Sequence, residues 1–142
     1  MAAARRSMQV PPNSDLTLGM VCLDKSRPGH TVWQMTGDER FANPAGVVQG
    51  GFLAAFCDSS MATAAVTFVE GRKVLSANTE MKISYFAPVP IGAVLTCTAD
   101  VVSGGRRVAF TEATLVSELD GGAPVTVARA SSTYLFTDRS AG

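Results

Sequence analysis

The period of the hydrophobic positions changes along this chain, and the change divides it into strands and one helix. From Leu16 to Leu23 and from Thr31 to Thr36 the apolar residues fall in short runs, and Thr31-Val32-Trp33-Gln34-Met35-Thr36 partly alternates with polar ones. Such runs predict two half-buried strands, joined by a turn through Lys25-Ser26-Arg27-Pro28-Gly29. The alternation is then lost. Val47 to Val69 is nearly all apolar, interrupted by Gln49, Asp58, Ser59, Ser60 and two threonines. Asn43-Pro44-Ala45-Gly46 before it is a turn signal, Gly50-Gly51 marks the entry, and Gly71 offers a left-handed cap residue at the exit. A helix that is apolar nearly all round belongs inside something, and about 20 residues make it roughly 30 Å long.

After the helix the strands return. Lys73 to Phe86, Ala93 to Ser103, a strand opened by Arg106-Arg107 and running to Glu118, and Val125 to Thr137 are separated by turn-forming segments, with a hairpin signal at Gly104-Gly105. Short connections predict antiparallel neighbours. The expected architecture is α+β: one curved antiparallel sheet wrapped around one long helix. Residues 1–15 read as a loose arm and residues 16–137 as a single domain.

Composition narrows the function only a little. Lys+Arg 12 and Asp+Glu 12 cancel, so no global field favours nucleic acid or an anionic membrane. The polar interruptions make the apolar stretch a poor membrane span. The N-terminus has no apolar run of the kind a signal peptide needs. Cys22, Cys57 and Cys97 are odd in number and lack metal-ligand spacing, which argues against a disulfide framework and for the cytoplasm. Cys57 reads as a core residue.

Several kinds of chemistry are excluded next. The single histidine, His30, sits in an expected exposed turn. No GxSxG elbow is present, no His/Cys/Asp/Glu cluster has zinc spacing, and neither a Walker A motif nor a GxGxxG after a strand occurs. What remains is Asp58, an acid in the middle of an apolar helix, which is costly unless paired, neutral or used. Gly50 stands at the helix start, where N–H groups lack intrahelical partners and the dipole favours negative charge. Such an amide suits an oxygen that gains charge during reaction, as a thioester carbonyl does on hydrolysis. A carboxylate in apolar surroundings suits a general base or a nucleophile. The alternative is purely structural: Gly50-Gly51 allows close packing, and Asp58 caps or pairs with a buried polar group. If the two residues do work together, geometry adds a demand. Eight residues at ~1.5 Å rise separate them by ~12 Å along the axis, too far for one carbonyl to touch both. The site then needs Gly50 from one subunit and Asp58 from another.

Asn43, Gly46, Gln49-Gly50-Gly51 and Asp58, followed by Asn78-Thr79-Glu80-Met81-Lys82-Ile83-Ser84-Tyr85-Phe86-Ala87-Pro88, resemble the signature of hotdog-fold acyl-CoA thioesterases of the PaaI-like group. The resemblance runs from about Leu16 to Phe136. It implies a long helix wrapped by an antiparallel sheet, an acyl-CoA substrate, no metal or redox cofactor, and sites between subunits of a homodimer that commonly pairs into a homotetramer. By position it implies Asp58 as the catalytic carboxylate and Gly50 as the amide that polarises the thioester carbonyl. It also implies Asn43 as an orienting group, Gly51 beside the substrate, and Asn78 or Thr79 where a small hydroxyl residue often holds the water. Gln49 departs from the family, which usually has histidine there. Glutamine hydrogen-bonds but does not titrate near neutral pH, which keeps open a non-catalytic acyl-CoA binding or sensing protein. A hydratase of the same fold would need a histidine beside the carboxylate, and His30 is badly placed for that. Gly104, Gly105, Arg106 and Arg107 form a candidate cradle for the coenzyme A phosphates, since guanidinium groups match phosphate geometry; the bland alternative is a solvated hairpin tip. Phe52, Phe56 and Met61 line either an acyl pocket or simply the core.

Overall fold

The computed structural model describes residues 9–139. A short helix α1 (Asn13–Leu18) leads into β1 (Val21–Asp24) and β2 (His30–Thr36). The long helix α2 (Gly50–Phe68) follows, and then β3 (Val74–Tyr85), β4 (Val94–Gly104), β5 (Val108–Glu118) and β6 (Val125–Asp138). The six strands form one open antiparallel sheet in the order β1-β2-β4-β5-β6-β3. It is a hotdog-like sheet around one helix. Residues 1–8 of the expected N-terminal arm lie outside the described residues.

The helix is seated through one stripe. Leu53, Phe56, Cys57, Ser60, Met61, Ala64 and Ala65 are buried, a three-and-four spacing that lines one face. The strands meet it in period two: in β5, Ala109, Thr111, Ala113, Leu115 and Ser117 are buried while their neighbours are not. Two polar groups in this layer are satisfied by backbone, Ser60 Oγ donating to Phe56 O (2.8 Å) and Thr31 Oγ1 to Ser60 O (2.9 Å). By length and composition α2 could cross a membrane. Its buried stripe identifies it instead as the helix of a core.

Four expectations need correction. Leu16 belongs to a helix, not to a strand reaching Leu23. Pro12 is its N-cap, Asp15 sets an acid in the first turn where the helix dipole favours one, and Gly19 closes the helix in the left-handed region (φ 71), its N–H donating to Leu16 O. His30 opens β2 rather than a turn, because the register sets it opposite Asp100. Its Nδ1 lies 2.6 Å from Asp100 Oδ1. Gly71 is left-handed (φ 86) but lies beyond the helix, which ends at Phe68. Arg106-Arg107 occupies the turn before β5, which begins only at Val108.

A fifth difference decides the site. β3 and β4 follow each other in sequence but are not neighbours, since β3 pairs with β6 at the far edge. The proline-containing segment 86–93 instead crosses the start of α2, where Val48 N–H donates to Val89 O (3.0 Å) and Val47 bridges Pro90. Proline cannot donate to a ladder, so a tight β3–β4 hairpin is disfavoured. Among the described residues the outer edge of β3 is left without a neighbouring strand.

Candidate functional site

Asp58 sits halfway along α2, at the flank of the buried stripe, and is partly exposed. Two neutral donors reach its Oδ1: Tyr134 Oη at 2.6 Å from β6 and Asn78 Nδ2 at 3.0 Å from β3. Tyr134 also donates to the Asp58 backbone carbonyl at 2.9 Å. Among the described residues no donor reaches Oδ2. The described contacts between basic groups and carboxylates are His30–Asp100, Arg40–Asp38 and Arg72–Asp138, and among the described residues no cation pairs with Asp58. The acid is held by dipoles and keeps one oxygen open.

A local irregularity supplies Asn78. The β3–β6 register slips between Asn78, opposite Tyr134, and Glu80, opposite Thr133. Bulges of this kind re-aim side chains. Ser132 Oγ donates to Asn78 Oδ1 (2.8 Å) or to Glu80 O (2.7 Å), which orients the carboxamide with its N–H toward Asp58. Thr79, the alternative at this place, turns aside and donates to Thr133 O (3.1 Å). The structure therefore brings Asn78, and not Thr79, to the carboxylate.

The helix start forms the second half. Gln49 is the N-cap and its side chain makes no capping bond. Its own N–H is occupied by Phe41 O (2.8 Å). The N–H groups of Gly50 and Gly51 have no acceptor among the described residues. Asn43 shapes the approach: its Oδ1 accepts from the N–H of Ala45 (2.9 Å) and of Val47 (3.3 Å), an Asx turn. Tyr85 Oη donates to Gly50 O at 2.6 Å. Beside Gly50 a cavity of about 410 Å³ is lined by Val48, Leu53, Tyr85, Phe86, Pro88 and Val89. It is an apolar recess opening at an array of free amides.

Within one protomer these halves do not meet, as the helical rise requires. The third group lies at the β4–β5 turn. Gly105 N–H closes it on Val108 O (2.9 Å), while Arg72 donates to Arg106 O (2.7 Å) and pairs with Asp138 (2.8 Å). Arg106 and Arg107 are exposed beside a cleft of about 490 Å³.

Burial pushes the Tyr134 phenol well above its ordinary range, and its bond to Asp58 adds to the shift. Tyr134 therefore stays protonated and acts as a donor. Burial also raises Tyr85. The Cys57 thiol is raised by its contact with Cys97 and by burial, which suits an inert core residue.

Tyr134, Ser132 and Tyr85 were not singled out from the sequence. The signal was present: Ser132 and Tyr134 place two hydroxyls within the buried alternation of β6, between Ala130 and Phe136. Their meaning depended on a register that pairs residues far apart in the chain.

Comparison with known proteins identifies the family and the fold. The sequence profile of the thioesterase superfamily matches residues 45–135. Acyl-coenzyme A thioesterase 13 of Homo sapiens is 28% identical over 116 residues, covering 82% of this chain and 81% of that protein. Among solved structures, a mutant of the phenylacetic acid degradation protein PaaI from Thermus thermophilus superposes with TM-score 0.75 at 27% identity, covering 87% of this chain and 98% of that one. A thioesterase family protein from Silicibacter pomeroyi shares the fold with TM-score 0.82 at 23% identity, covering 91% and 92%. With the family profile spanning both the helix that carries Asp58 and the strands that hold it, the chain belongs to the thioesterase superfamily.

Proposed function

We propose that the protein hydrolyses an acyl-CoA thioester to the free acid and coenzyme A, using Asp58 of one protomer and the Gly50 N–H of a second. The observation that carries this reading is the state of Asp58: a half-buried carboxylate, unpaired with any described cation, whose Oδ2 is open. The uncommitted amide of Gly50 complements it. Each group lacks what the other provides, and one helix cannot bring them together.

In the reaction Asp58 either takes a proton from an attacking water or attacks the carbonyl carbon itself. The carbonyl oxygen becomes anionic and is met by the partner's Gly50 N–H, with the helix dipole behind it. The C–S bond then breaks and coenzyme A leaves as the thiolate, which takes up a proton. If Asp58 was the nucleophile, water then hydrolyses the resulting anhydride. Gln49 and Asn43 orient the thioester at the helix start, and Asn78 fixes the acid. The turn at Gly104, Gly105, Arg106 and Arg107 receives the phosphates. A homodimer is the minimum unit, and the unpaired edge of β3 with the adjoining open face of α2 is the surface on which it forms. Two such dimers pair into a homotetramer.

A panel of acyl-CoA thioesters, followed by release of free thiol, tests the reading. Turnover that disappears with Asp58→Ala supports it. Tight acyl-CoA binding without turnover dependent on Asp58 would make the protein a binder, a possibility that the untitratable Gln49 keeps in view.

A further inference from the structure

The geometry points to Tyr134 as a positioning residue that, together with Asn78, takes up one oxygen of Asp58 and leaves Oδ2 as the oxygen that acts on the substrate. This rests on the thioesterase reading above. The two carboxylate oxygens are not equivalent. Oδ1 accepts from Tyr134 at 2.6 Å and from Asn78 at 3.0 Å, donors carried on two different strands. A carboxylate with one oxygen gripped from two directions loses the freedom to rotate about its terminal torsion, which is otherwise broad.

The phenol is itself fixed. Tyr134 is 1% exposed, and its hydroxyl is shared between Oδ1 and the Asp58 carbonyl. That double contact ties β6 to the middle of α2 at the residue whose aim matters. Because burial holds the phenol in its protonated form, it cannot serve as the base, and its single proton is already committed. It acts through Asp58 as a permanent dipole. Phenylalanine would preserve the packing and remove only this hold, while the helix keeps its own bond at the Asp58 carbonyl.

The test compares wild type, Tyr134→Phe, Asp58→Ala and the double variant on the acyl-CoA found to turn over fastest. Loss of one charge-assisted hydrogen bond should lower kcat by about 10- to 100-fold, with KM unchanged within about twofold. In the Asp58→Ala background the same substitution should change the residual rate no further, because its target is gone. A purely structural tyrosine would lower both backgrounds alike or raise KM, and either result overturns the assignment. So does a Tyr134→Phe enzyme with wild-type kcat. If wild type itself shows no turnover dependent on Asp58, the thioesterase reading fails first, and the two failures are thus distinguishable. A second measurement avoids the variant altogether. In crystals of the wild-type protein with a non-cleavable acyl-CoA thioether, Oδ2 should face the acyl carbon or its water. Oδ1 in that place would contradict the proposal.

Discussion

At position 50 any side chain would meet a ring. A Cβ added there falls 3.0 Å from Tyr85 Cζ and 3.1 Å from its hydroxyl, whereas one at Gly51 meets nothing within 4 Å. Gly50→Ala should therefore displace Tyr85, which holds Gly50 O, and shift the amide beside it. Misplacement on the ångström scale costs up to about 100-fold in rate, and steady-state kinetics should show that loss at Gly50→Ala and near-wild-type turnover at Gly51→Ala. Equal effects at the two glycines would contradict the role given to Gly50. The helix entry at those glycines, the turn at Asn43 and the acid at Asp58 were legible in the sequence because these signals are local. Tyr134 was not, because it reaches Asp58 across 76 positions of sequence through a strand register that no local pattern reveals. The choice between Asn78 and Thr79 was open for the same reason, since it turns on a bulge.

Single elements were read most reliably where their own residues dictate them. The helix, the four later strands and the Gly104-Gly105 turn follow from period and glycine placement. The order of strands in the sheet did not, because β3 departs from β4 through a segment whose prolines and contacts with Val47 and Val48 only make sense once the helix start is in place. α1 was missed because its first-turn Asp15 and its left-handed Gly19 cap outweigh the strand-like run of Leu16 and Leu18. Within α2, Met61 is fully buried, and Met61→Ala should cost about 2–5 kcal/mol of folding stability, measured by denaturant unfolding. The strand–helix tie through Tyr134 also has a pH signature. Its phenol titrates higher in the folded state than in the unfolded one, so its contribution is fully present below about pH 10. Above that pH the unfolded chain ionises first, and stability falls as the pH rises. The alkaline decline should be shallower in Tyr134→Phe, and an unchanged slope would show that the phenol is not held protonated.

On the scale of the whole molecule, distribution matters more than composition. Net charge is zero by count, yet Arg72, Arg106 and Arg107 gather at one turn, and among the described residues only Arg72 is paired there, with Asp138. Replacing Arg106 and Arg107 together by alanine should raise KM for acyl-CoA about 10-fold while leaving kcat unchanged. The effect should shrink as salt screens it. A KM indifferent to both substitutions would assign the turn to solvent. The larger question is whether the open amide and the open carboxylate serve one another across two copies of the chain. Complementation between inactive variants addresses it most directly. Gly50→Pro deletes the proposed donor at a helix position that accepts proline, and Asp58→Ala deletes the acid. Refolded together, random pairing makes half the dimers mixed, and each mixed dimer carries one site with both groups intact. The account expects roughly a quarter of wild-type turnover from the equal mixture and almost none from either variant alone. A mixture no more active than its components would contradict a site shared between protomers.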